Sequence, residues 1–64
     1  MRIFTKVELK EAKRAIDSTI SKCEKALPNL KDKSAQRTLL GRRINALLIS
    51  SELIEREISR LPMS

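Results

Sequence analysis

Leu27-Pro28-Asn29-Leu30-Lys31-Asp32-Lys33-Ser34 is the stretch that decides how this chain folds. Pro28 has no N–H to donate and disfavours helical geometry in the residue before it, so a helix arriving from the N-terminal side is predicted to stop at about Leu27. Ser34 is a good N-cap, because its hydroxyl can accept from a free backbone N–H of a first helical turn. A second helix is therefore predicted to start at residue 35. A connection this short leaves its two flanking helices no choice but to lie antiparallel.

The outer ends carry equally specific signals. Thr5-Lys6-Val7-Glu8 has the spacing of a capping box, in which Thr5 and Glu8 each satisfy the other's backbone N–H. Phe4 and Leu9 stand where a hydrophobic staple would close over that box. At the other end, Leu61-Pro62 stops the second helix after about Arg60. No segment alternates as a strand would. The expected fold is all-α: one domain over residues 1–64, an antiparallel hairpin with helices at about 6–27 and 35–60 and a loop at 28–34.

The two helices differ in how much apolar surface they carry. The first has one narrow stripe, Leu9, Ala12, Ile16, Ile20, Cys23 and Leu27, flanked by the small residues Ala15, Thr19 and Ala26. The second has a main stripe of Leu40, Ile44, Leu47, Ile54 and Ile58, and a further row of Leu39, Ala46 and Leu53 about 100° round the axis. Leu48 and Ile49 widen the arc again. One neighbouring helix cannot cover this. A chain of 64 residues is also near the lower size limit for a self-sufficient core. One cysteine rules out an intrachain disulfide, and the absence of His argues against structural zinc. A homodimer forming a four-helix bundle is expected, with Leu39, Ala46, Leu48, Ile49, Leu53 and Glu57 at its interface.

The net charge of +6 is unevenly spread. Glu52, Glu55 and Glu57 near the end of the second helix should lie beside the basic start of the first and offset it. At the turn, Lys22, Lys25, Lys31, Lys33, Arg37, Arg42 and Arg43 face only Glu24 and Asp32. The second helix begins there, so free N–H groups and the positive end of its dipole add to the field. Lys33, Gln36, Arg37, Thr38, Arg42, Arg43 and Asn45 are the candidate residues for an anionic partner, the arginines offering forks suited to carboxylate or phosphate. Arg43 borders the apolar stripe and would find Glu57 of a second copy a suitable counter-charge. Gly41, in mid-helix, calls for a packing or functional reason, since it costs about 1 kcal/mol relative to Ala.

Other classes find little support. Ser18, Ser21, Ser50 and Ser51 have no His to activate them, and the acidic residues lack the Glu-x-x-His spacing of di-iron bundles. No catalytic residue, metal ligand set or cofactor is expected, and the chain reads as a non-enzyme. Phe4 is the only aromatic, which argues against modules that stack bases on aromatic platforms. No apolar run is long enough to cross a membrane and no signal-peptide pattern is present, so a cytoplasmic location is expected.

The run Ile20-Ser21-Lys22-Cys23-Glu24-Lys25-Ala26, followed by Ser34-x-Gln36-x-Thr38-Leu39-Leu40 and Arg43-Ile44-x-Ala46-Leu47, resembles small uncharacterised helical-hairpin proteins of Gram-positive bacteria and their phages. By analogy with phage proteins of this size, that resemblance implies an inhibitor of host defence, masking a protein or sequestering a nucleotide signal; it transfers no site residues. The expected function is a homo-oligomeric binding protein that captures an acidic protein surface or a phosphate-bearing nucleotide ligand. The alternatives are a nucleic-acid-binding dimer and a purely structural assembly module.

Overall fold

Thr5 ends the extended N-terminal segment and opens the first helix through the reciprocal bonds its position promised. Its Oγ1 accepts from the Glu8 N–H at 3.1 Å, and Glu8 Oε1 accepts from the Thr5 N–H at 3.4 Å. In the computed structural model, which describes residues 3–62, helix α1 runs Lys6–Ala26 and helix α2 runs Ala35–Arg60. Ser34 caps α2 by accepting from the Arg37 N–H at 3.1 Å. Leu61 turns extended at the far end, its N–H still donating to the Glu57 carbonyl. The described residues contain no strand, and the architecture is the expected all-α hairpin.

The turn departs from expectation in one respect. Leu27 keeps right-handed helical geometry (φ −56°, ψ −46°) despite the proline after it. Pro28 acts one step later: lacking an N–H, it cannot extend the α ladder, and the chain tightens into a 3₁₀ turn over Leu27–Asn29. Leu30 then becomes extended while its N–H donates to the Leu27 carbonyl at 3.1 Å. A second turn follows, closed by the Ser34 N–H on the Lys31 carbonyl at 3.2 Å. It holds Lys33 at φ 62°, the left-handed region that costs an L-residue roughly 1–2 kcal/mol.

α1 and α2 pack along their length through the predicted stripes. Leu9, Ile20 and Ile44 are buried, while Ile16, Cys23, Leu27, Leu40, Leu47, Ile54 and Ile58 are half-buried. Ala12, expected in the stripe, is exposed. Among the described residues no side chain is fully enclosed. The molecule measures 46 × 20 × 16 Å with a radius of gyration of 14.6 Å, against about 11 Å for a compact chain of this length. Two helices alone give each apolar side chain a neighbour on one side only, which is why this hairpin has a seam rather than a core.

Gly41 does not serve a close helix crossing within the chain. A Cβ built there meets nothing within 4 Å, so neither the packing of α1 on α2 nor the turn requires glycine at that position.

Candidate functional site

Of the residues gathered at the turn, Arg37 has work inside the fold. Ser34 caps α2 so that Arg37 lies in its first turn, facing back towards the end of α1. Arg37 Nη1 donates to the carbonyls of Leu27 at 3.1 Å and Leu30 at 3.2 Å, and sits 3.5 Å from Asp32 Oδ1. The Leu27 carbonyl, which also accepts from the Leu30 N–H, stands just past the end of α1, where a cation complements the helix dipole, and the Leu30 carbonyl lies in the turn that follows. Arg37 is thus a clamp on the turn, with part of its charge already matched.

The other turn-end cations are different. Lys22, Lys25, Lys31, Lys33, Arg42 and Arg43 are all exposed, and among the described residues none of them forms an ion pair. Gln36 and Thr38 are exposed on the first turn of α2. Asn45 is not brought to this end: it lines a groove of about 470 Å³ with Lys13, Leu48, Ile49, Ser51, Glu52 and Glu55. That groove and three others, which lie towards the end of the hairpin where α1 begins and α2 ends, take no residue between 18 and 44. The basic end lies outside these grooves, open to an extended anionic face.

The predicted interface residues fall on different sides of α2. Leu48 and Ile49 flank the Lys13–Glu55 groove. Leu53 lies in another, of about 770 Å³, with Ile3, Phe4, Leu9, Ile54, Glu57 and Leu61. Leu39 and Leu53 are 60% and 56% exposed, and Ala46 is exposed between them. Phe4 and Leu9 share that second groove, as a staple would place them. Glu57 Oε1 accepts from Arg60 Nη2 at 2.8 Å, a contact that raises the arginine's pKa further.

One polar cluster has no counterpart in the sequence reading. Ser51 is 8% exposed in the middle of the helix seam. Its hydroxyl donates to Asp17 Oδ1 at 2.7 Å and accepts from Lys13 Nζ at 3.1 Å. Lys13 Nζ in turn donates to Asp17 Oδ2 at 2.9 Å and lies 3.9 Å from Glu55. The hydrogen bond from Ser51, reinforced by Lys13, lowers the pKa of Asp17. The bond to Asp17, and the charges of Asp17 and Glu55, raise that of Lys13. The charged pair and the hydroxyl are thus tied together across the seam. This fixes register: only one sliding position of α1 on α2 sets Asp17 against Ser51. The signal was readable, since Ser51 fills the gap between Leu47 and Ile54 in the α2 stripe, opposite two charges four residues apart.

Among the described residues no three His, Cys, Asp or Glu side chains are grouped to hold a metal ion, and no helix is long and apolar enough to cross a membrane. No family model, curated protein or solved structure matches this chain.

Proposed function

We propose that this chain is a non-enzymatic, self-associating binding protein whose basic turn end docks on an acidic protein surface. The observation that carries this reading is the segregation of charge. Lys13, Arg60 and Arg37 are matched to carboxylates inside the fold; of the cations left unmatched, six stand exposed at the turn with only Glu24 and Asp32 near them in sequence, whereas Lys6, Lys10, Arg14 and Arg56 share the rest of the hairpin with Glu8, Glu11, Glu52, Glu55 and Glu57. Exposed and outside the four grooves, the six turn cations suit an extended anionic face better than a small nucleotide, which is held by enclosure. Such a surface contributes mainly to association rate and to choice of partner.

The same structure supports self-association. A seam in which no side chain is fully enclosed leaves the apolar flank of α2 for another copy to cover.

The binding claim is tested with a poly-glutamate peptide as probe, titrated against the wild type and a Lys33→Glu/Arg42→Glu variant. Neither residue makes a contact that holds the hairpin together, so helicity and melting temperature should not change. Binding by the wild type and its loss in the variant are expected; equal binding by both contradicts the reading. Duplex DNA serves as the comparison. Binding to DNA that falls steeply with salt, with none to the peptide, would assign the surface to nucleic acid instead.

A further inference from the structure

We infer that a second copy of this chain covers one particular face, the one bearing Leu39, Arg43, Ala46, Ser50, Leu53 and Glu57, and that it lies antiparallel along α2 about a two-fold axis at Ser50. This rests on the self-association proposed above and goes on to assign its face and register.

The area is right for such an occupant. A compact monomer of 7.3 kDa exposes about 4,200 Å². This chain exposes 5491 Å², roughly 1,300 Å² more. A standard interface removes about 800 Å² from each partner, so the excess is large enough to supply one.

The face is continuous. At 100° per residue, those six residues fall within an arc of about 80° on α2. Leu53 and Glu57 open onto the groove shared with Leu9, Ile54 and Leu61. On the opposite side of the seam, a groove is lined by five charged residues, Lys10, Lys13, Arg14, Asp17 and Glu55, and by Ile58, and Lys13 is already paired there with Asp17 and Glu55. α1 turns its exposed small residues, Ala12, Ala15 and Thr19, away from that polar side, so a neighbouring helix can come close there as well.

Charge selects the register. An axis crossing α2 at Ser50 sets each residue against one equally far along the second copy in the other direction. Arg43 then meets Glu57 of the second copy, and the reverse pair forms by symmetry. The same register sets Ala46 against Ile54, Leu47 against Leu53 and Leu39 against Leu61 of the second copy. Each apolar side chain meets another, and the exposed, unpaired Arg43 gains a carboxylate. The other two-fold arrangement, with α1 of the second copy over α2, is disfavoured by like charges. The Asp17–Ser51 and Lys13–Glu55 contacts fix which levels of the helices coincide. At those levels Glu57 would face the neighbourhood of Glu8 and Glu11, and Arg43 that of Lys22. The antiparallel arrangement takes Arg43 out of the docking set and places the two basic turns, each with its five remaining exposed cations, at opposite ends of the bundle, giving a two-headed binder.

A charge swap read by sedimentation equilibrium tests this. Arg43→Glu and Glu57→Arg should each weaken dimerisation about tenfold at low salt, and the double variant should recover most of the loss. Leu53→Glu should abolish the dimer, whereas Leu48→Glu, on the other side of α2, should leave it intact. A wild-type dimer indifferent to both single charge reversals, or broken by Leu48→Glu and not by Leu53→Glu, overturns the face and register while self-association stands. A wild-type chain that stays monomeric overturns both.

Discussion

Replacing Arg37 with alanine separates a turn clamp from a binding residue. The guanidinium bridges the carbonyls of Leu27 and Leu30 with bonds of 3.1 and 3.2 Å and lies beside Asp32. A hydrogen bond from a charged donor contributes about 1.5–3 kcal/mol when well shielded. Here the side chain is 35% exposed, so water can replace part of what is lost, and both bonds together are worth about 1–2 kcal/mol. In a domain this small, each kcal/mol moves the melting temperature by about 4–8 °C. Arg37→Ala should therefore melt at least about 4 °C lower, with its urea midpoint shifted and the slope of the transition unchanged. Arg42→Ala, equally basic and only five residues on, makes no such contact and should melt like the wild type. Equal melting of Arg37→Ala and Arg42→Ala would refute the clamp and return Arg37 to the set of free cations.

Three further predictions follow from local geometry. Gly41→Ala should stabilise the chain by about 0.5–1 kcal/mol, because alanine is the better helix former and its methyl enters open space; a loss measured by urea denaturation would mean another surface packs there. Lys33→Gly should stabilise by up to about 1 kcal/mol by relieving the left-handed backbone at φ 62°, and a melting curve at or below that of the wild type would contradict this. The third concerns acid. Asp17 has a pKa held below its ordinary 3.8, so its contribution to stability is complete above that value and disappears as pH falls through the lowered one. Ser51→Ala removes the largest cause of the lowering, so melting temperature should fall less steeply below pH 3.8 in the variant than in the wild type; parallel profiles would show that the bond is idle.

Much of the fold was legible because its signals are short in range. Thr5 with Glu8, and Ser34 ahead of α2, act on backbone groups three residues away, and periodicity alone identified most of the seam. Pro28 predicts a stop at about Leu27; α1 ends at Ala26, and a 3₁₀ turn takes over from Leu27, which keeps helical geometry. The candidate site was harder to read. Arg37 and Arg42 look alike in sequence, and only the path of the turn decides that one meets the Leu27 and Leu30 carbonyls while the other meets solvent. Leu48 and Leu53 likewise seemed part of one broad arc, until the position of α1 divided α2 into a polar-lined side and an apolar one. Ser51 was passed over as a nucleophile without a base, although its place in the stripe marked it as a seam residue.

The central claim is that this hairpin completes its hydrophobic seam with a second copy of itself. Light scattering on the eluting protein, over a concentration series, tests that most directly. A mass of twice 7.3 kDa is expected, falling towards the single-chain value only on dilution or with Leu53→Glu. A mass of 7.3 kDa at every concentration, with a sharp cooperative melt, would contradict it.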